Sequence, residues 1–225
     1  MPDGLTLRAG RTAGLRPTGA GPDASSAKRG LDVGATLVLL LILLPLLLLL
    51  AAAVRLDGGP VLYGHRRMGR GGREFPCWKF RSMRPDAEAA LAALLAADPA
   101  ARAEWNSHRK LRHDPRITPF GRFLRVSSLD ELPQLWNVLR GDMSLVGPRP
   151  VTRDELQSHY GPHASTYSLV RPGITGPWQV SGRSDTDYPS RVALDVQYVR
   201  SRSLGGDLTL LGRTVAAVLR GRGAR

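Results

Sequence analysis

The sequence predicts a mostly helical α+β protein in which one membrane-embedded helix is joined to a compact domain with a small β element. Three observations carry that reading. The run from Val33 to Val54 has no charge and is almost all Leu, Ile and Val between Leu37 and Leu50. Several later segments repeat apolar residues at helical spacing. Val61–Tyr63 and Glu74–Phe80 read as short strands, separated by a basic, Gly-rich hairpin from Arg66 to Arg73.

Residues 1–27 are rich in Gly, Pro, Ser, Thr and Ala and read as a disordered basic tail. The apolar run that follows would reach roughly 30 Å as a helix, enough to cross a hydrocarbon core. Its long polar lead, with no clear small-x-small cleavage site, argues against a signal peptide. Two features resist a plain span. Pro45 sits in the middle, where it removes a backbone donor and favours a kink. Both flanks are basic: Arg8, Arg11, Arg16, Lys28 and Arg29 precede the run, and Arg55, Arg66, Arg67, Arg70 and Arg73 follow it. Basic flanks tend to stay on the cytoplasmic side. On the residues alone, a kinked spanning helix and a re-entrant helix over 28–56, bent at Pro45, both remain open.

Beyond residue 56, Pro85 opens an Ala/Leu-rich helix over 86–97, and a second helical piece follows Pro99. Asp114–Pro119 is loop-like, and Phe120–Val126 forms a short amphipathic helix. Leu132, Leu135, Trp136 and Leu139 share one helical face that stops at Gly141. That helix starts either with a Ser128/Glu131 capping box or with Pro133 at its first position. Arg171–Pro177 is too rich in Pro and Gly for regular structure, with a strand expected over Trp178–Val180. Tyr188–Arg202 and the basic amphipathic segment Leu208–Leu219 read as helices, the last of a kind that lies on membrane surfaces.

The 225 residues carry a net charge of +13, which points to a polyanionic partner: nucleic acid, an anionic membrane face or a phosphorylated substrate. No nucleic-acid motif or series of stacking aromatics accompanies that charge. The single cysteine, Cys77, excludes an internal disulfide and reads as a buried, inert thiol. His65, His108, His113, His159 and His163 lack metal-ligand spacing.

The segment Ser128–Pro150 concentrates the chemistry. Asp130 and Glu131 are adjacent carboxylates at or before a helix's first turn, and Arg149 stands between Pro148 and Pro150. Carboxylates hold divalent metals or attack phosphorus, and an arginine grips phosphate. Taken alone, the acidic pair favours helix capping and the Pro-Arg-Pro a plain turn.

From about Lys28 onward the chain resembles the bacterial monotopic phosphoglycosyl transferases. The resemblance rests on Lys79-Phe80-Arg81-Ser82-Met83, on Asp114–Thr118 with Gly121–Arg125, on Ser128–Pro150, on Arg171–Gly176 with Trp178–Arg183, and on Asp207-Leu208. It implies transfer of a sugar phosphate from a UDP-sugar to a polyprenol phosphate, releasing UMP and starting polysaccharide or glycoconjugate assembly. Asp130 would be the nucleophile that forms an aspartyl phosphosugar. Glu131 would aid metal binding or proton handling, and Asp130 and Glu131 would together hold Mg2+. Arg149, with Pro148 and Pro150, would contact the nucleotide, while Arg125, Lys79, Arg81 and Arg183 would meet phosphates. Asp195 and Asp207 would organise the site.

The resemblance also implies the re-entrant helix, interfacial amphipathic helices, and a catalytic domain over 57–225 on the cytoplasmic face of a bacterial inner membrane. Expected partners are anionic lipids, downstream glycosyltransferases and a second copy of the chain, with no nucleic acid. Leu44-Pro45 replaces the family's usual Ser-Pro, and Leu204-Gly205-Gly206 stands where bulkier residues are usual. Larger relatives add a multi-span region, and this chain resembles the minimal form. Two alternatives explain less: a non-enzymatic membrane-tethered module binding lipid or nucleic acid, and a spanning subunit of a polysaccharide export assembly.

Overall fold

The long apolar run folds as part of α1 (Pro22–Leu56), which the assigned helix carries unbroken through Pro45. The structure, a computed structural model, describes residues 22–108, 111–181 and 186–219. Most of the segment expected as a disordered tail therefore lies outside the described residues, but its last part, from Pro22, is helical. The helix is the one described element long and apolar enough to cross a membrane.

One stripe of α1 meets the rest of the chain along nearly its whole length. Ala35, Leu40 and Leu43 pack against a core of Phe75, Cys77, Leu135, Val138, Met143 and Tyr198. Leu46, Leu47, Leu50, Ala51 and Val54 pack with Phe80 and Leu124. The three- and four-residue steps are those of one helical face. Leu41, Ile42, Leu48 and Leu49 point the other way and are exposed.

Hydrocarbon tails are as apolar as leucine, so burial alone does not hold such a stripe in a bilayer. Polar ties secure both ends. Arg29 donates to the Val138 and Leu139 carbonyls at 2.7 and 2.9 Å. Lys28 pairs with buried Asp207 at 2.5 Å, and Asp32 accepts from the Leu145 N–H. At the far end Arg81 donates to the Val54 carbonyl at 3.0 Å.

The basic hairpin is longer than expected. β1 (Leu62–Met68) pairs antiparallel with β2 (Glu74–Phe80), so Arg66 and Arg67 are strand residues and the turn is confined to 69–73. The Ala/Leu-rich helix α2 (Ala87–Ala97) and a second, more polar helix α3 (Pro99–His108) follow as predicted. α4 (Pro119–Ser127) begins with Thr118 capping the Gly121 N–H.

Neither expected start for the next helix is observed. Ser128 ends α4 in a left-handed conformation, φ 58°, and its side chain caps nothing. A single 3-10 turn, Leu129–Glu131, then leads to α5 (Gln134–Arg140), whose N-cap is Pro133. Trp136 is exposed rather than on the buried face, where Gln134 and Asn137 sit instead. Asn137 accepts from the Trp78 N–H and donates to the Pro76 carbonyl, which satisfies the open edge of β2.

Two further expectations fail. Gly173–Thr175 is a short strand, β4, parallel to β3 (Ser144–Val146), and Pro177–Ser181 is helical (α8) rather than extended. A Cβ on Gly173 would collide with the Gly147 backbone, so the glycines that suggested irregularity instead permit a very close strand approach. Short helices α6 (Arg153–Glu155) and α7 (Ala164–Tyr167) lie between β3 and β4. α9 (Tyr188–Ser201) and α10 (Leu204–Leu219) complete the described chain.

Candidate active site

The acidic pair lies on the 3-10 turn between α4 and α5, beside the end of β2. Asp130 is buried, and Glu131 faces a cleft lined by Arg67, Lys79, Gln134, Arg149 and Gln179. Lys79 is the hub. Its Nζ lies 2.6 Å from Glu131 Oε1 and 3.5 Å from Asp130 Oδ2. The strand therefore delivers one ammonium to both carboxylates.

The two acids respond differently. Burial lifts Asp130 above the ordinary carboxylate range, and the Glu131 charge adds to that, against the pull of Lys79 and Arg125. Burial acts the same way on Glu131, but Lys79 and Arg149 outweigh it and hold Glu131 below its usual value. Paired acids pushed apart in this way divide acid–base and charge-holding roles between them. Arg125 is exposed; its Nε donates to the Ser82 hydroxyl at 2.8 Å and its charge reaches Asp130.

Arg149 stands across the cleft on a rigid stretch. Pro148 and Pro150 are buried on either side, and the guanidinium lies 5.5 Å from the centroid of buried Trp178. The Arg191 guanidinium covers the same ring at 4.6 Å. The cleft thus joins two carboxylates to a set of cations and an aromatic platform. It is equipped to receive a phosphorylated ligand and present a carboxylate oxygen to it.

Residues 23–221 match the bacterial sugar transferase family. The chain belongs to that family. It is 52% identical over 197 residues to the undecaprenyl-phosphate galactose phosphotransferase of Salmonella typhimurium, covering 88% of this chain and 41% of that one. It therefore spans less than half of that relative's length. The exopolysaccharide production protein ExoY of Rhizobium meliloti is 49% identical over 214 residues, with 95% and 92% covered. The UDP-glucose:undecaprenyl-phosphate glucose-1-phosphate transferase of Caulobacter vibrioides is 40% identical over 220 residues, with 91% and 75% covered.

Within this family member the motif residues divide into those at the cleft and those elsewhere. Lys79, Asp130, Glu131, Arg149 and Pro150 come together. Arg81, expected to meet phosphate, is buried with its Nη2 on the Val54 carbonyl, where a cation suits a helix C-terminus. Asp207 is also remote from the cleft: fully buried, it pairs with Lys28 and accepts from the Tyr198 hydroxyl at 2.8 Å. These contacts tie α1 to α9 and α10. Arg183 lies outside the described residues.

Asp195 is buried on α9, with Tyr160 donating to it at 2.7 Å, and burial raises its carboxyl to about 7. Arg67, Gln134 and Gln179 also line the cleft; in the sequence Arg67 stands out only as part of the basic hairpin, and neither glutamine marks itself as a site residue. Gln134 and Asn137 carry no sequence signal, because a polar residue on a short helix reads as its solvent face. Cys77 is buried with its thiol raised to about 11, so it stays protonated.

Among the described residues no cluster of three or more His, Cys, Asp or Glu side chains forms a metal cage. The donor set is two carboxylates beside a cleft lined by Arg67, Lys79 and Arg149. That suits Mg2+, which takes one or two carboxylates, keeps several waters and shares substrate phosphates.

Proposed function

We propose that this chain transfers a sugar 1-phosphate from a UDP-sugar to undecaprenyl phosphate and so begins polysaccharide or glycoconjugate assembly. The observation that carries the proposal is the Lys79-bridged Asp130–Glu131 pair facing Arg149. The names and activities of the Salmonella and Caulobacter relatives support it.

In the first step an Asp130 carboxylate oxygen attacks the β-phosphorus of the donor. The bond from that phosphorus to the bridging oxygen breaks, and UMP leaves with the electron pair. In the second step a phosphate oxygen of undecaprenyl phosphate attacks the same phosphorus and Asp130 departs as a carboxylate. The desolvation that raises Asp130 makes its anion a more basic nucleophile toward phosphorus. Glu131 and Asp130 would hold Mg2+, which supplies charge neutralisation on the pyrophosphate. Lys79 stabilises the carboxylates before the donor binds, then turns toward phosphate. Arg149 binds the nucleotide and Arg125 screens the approach to Asp130.

The acceptor is a membrane lipid, and α1 sets where it meets the cleft. Both ends and the middle of α1 contact one domain, although residues 29 and 54 would lie about 37 Å apart along a straight helix. A helix crossing the bilayer would carry one of those ends to the far face. This arrangement supports a shallow, re-entrant placement with the domain at the cytoplasmic face of the inner membrane. Exposed Phe123, Val126 and Trp136, on the helices flanking the acidic turn, suit an interfacial position beside anionic lipids.

Detergent-solubilised protein with Mg2+, a panel of UDP-sugars and undecaprenyl phosphate should release UMP. Without acceptor, a labelled sugar phosphate should accumulate on the protein. Asp130→Asn should abolish both signals while membrane association persists. Full UMP release by that variant would remove Asp130 as nucleophile.

A further inference from the structure

The Pro148-Arg149-Pro150 segment is gripped from behind by three buried side chains that never reach the cleft. Tyr167, on α7, is almost fully enclosed, and its hydroxyl proton is shared between the Met68 and Arg149 carbonyls at 3.0 and 3.2 Å. The Val151 N–H approaches the same oxygen at 3.4 Å. Tyr160 packs edge-on against Tyr167, with ring centroids 5.2 Å apart, and donates to Asp195 Oδ2 at 2.7 Å. Asp195 is 1% exposed. Its Oδ1 closes no hydrogen bond of full geometry, and the Arg149 N–H and guanidinium act on the carboxylate from a looser range.

These groups reach Arg149 through the two peptide units that flank it. Tyr167 holds the carbonyl, while Asp195, oriented by Tyr160, supplies negative charge toward the N–H and the side chain. A core needing only volume would place an apolar residue at 195, because a buried carboxylate with one oxygen unsatisfied is costly. Val192, Val196 and Leu156 belong to the apolar cluster that also holds its partner Tyr160. The charge at 195 therefore has a use that packing does not explain, and its neighbours Tyr160 and the Arg149 backbone connect it to the segment at the cleft.

We infer that Tyr160, Asp195 and Tyr167 form a positioning clamp that sets Arg149 for the nucleotide of the donor. The inference rests on the proposed function. Asp195 and the tyrosines do not touch substrate; they act through Arg149. Loosening the clamp should weaken nucleotide binding more than it slows chemistry, because Arg149 meets the part of the donor that does not react.

The test uses full-length protein in detergent and two readouts: equilibrium binding of UMP with Mg2+, and kcat and KM for a UDP-sugar that the wild type accepts. Tyr160→Phe removes one hydroxyl without changing the ring. It should weaken UMP binding and raise donor KM about ten-fold, the usual scale for a hydrogen bond to a charged group, with kcat nearly unchanged. Asp195→Asn should act in the same direction. In an Arg149→Ala background, Tyr160→Phe should add nothing, since coupled residues do not lose energy independently. Melting curves confirm that each variant is folded.

Unchanged UMP affinity and KM in folded Tyr160→Phe would overturn the clamp while leaving the functional reading intact. Additive losses in the double variant would do the same. A wild type that neither binds UMP nor releases it from any UDP-sugar would overturn the functional reading and the clamp with it.

Discussion

Asp195→Asn should change how stability depends on pH, in a direction fixed by burial. In the folded protein the carboxyl is raised to about 7, chiefly by desolvation; in an unfolded chain an aspartate titrates near 3.9. The native state therefore binds an extra proton between about pH 4 and 7. Stability from this group falls as pH rises through that window and levels off above it. At about 1.4 kcal/mol per pH unit, burying Asp195 costs on the order of 4 kcal/mol at pH 8, where it is ionised, and roughly 1.5 kcal/mol at pH 5, where folding takes up a proton.

Asparagine keeps the shape and an acceptor for Tyr160 but cannot ionise. The stability difference between variant and wild type should therefore shift in favour of the variant by about 3 kcal/mol between pH 5 and pH 8. For a domain of this size that is roughly 6–10 °C in melting temperature. Thermal unfolding of both proteins in one detergent at pH 5, 6, 7 and 8 measures it. A melting gap that stays constant across the series would refute the reasoning, whatever its absolute size.

Other expectations follow from single contacts. Gly121→Ala should destabilise by about 1–3 kcal/mol, because a Cβ there runs into the Ser82 backbone that α4 docks against; an unchanged melting temperature would count against that docking. Lys28→Met leaves buried Asp207 without its cation and should cost roughly 3–5 kcal/mol, read by denaturation in detergent. Lys79→Met should move the acid limb of the pH–rate profile to higher pH, because the ammonium that favours both carboxylate anions is gone; an unshifted limb would separate Lys79 from the acidic pair. Chelating Mg2+ should stop UMP release, and adding it back should restore the rate.

Much of the architecture was legible because periodicity and punctuation agreed. Glu74–Phe80, the two helices around Pro99, and α9 lie where pattern places them. Misreadings arose where tertiary contact overrides local preference. Ser128 and Glu131 have capping-box spacing, yet the chain uses Ser128 to turn sharply out of α4 and swing Asp130 inward. Gly173 reads as a breaker until Gly147 is seen pressed against it. At the site, Asp130, Glu131 and Arg149 announce themselves as adjacent acids and a proline-framed cation. Lys79 and Arg81 lie two residues apart in one motif, and nothing in the spacing says that one reaches the acids and the other a helix end. That distinction depends on where α1 ends, which is a three-dimensional fact.

The stripe of α1 that meets the domain makes the membrane segment an inner wall of the enzyme rather than an anchor attached to it. A fragment beginning after Leu56 would open Leu124, Phe80, Val138 and Met143 to water together, and would deprive Asp207 of Lys28 and Arg81 of the Val54 carbonyl. Such a fragment should aggregate or unfold, so catalytic studies need the intact chain in detergent or lipid. On the proposed function, the same dependence would couple folding to the membrane that holds the acceptor lipid, because the core beneath the acidic turn closes only against α1.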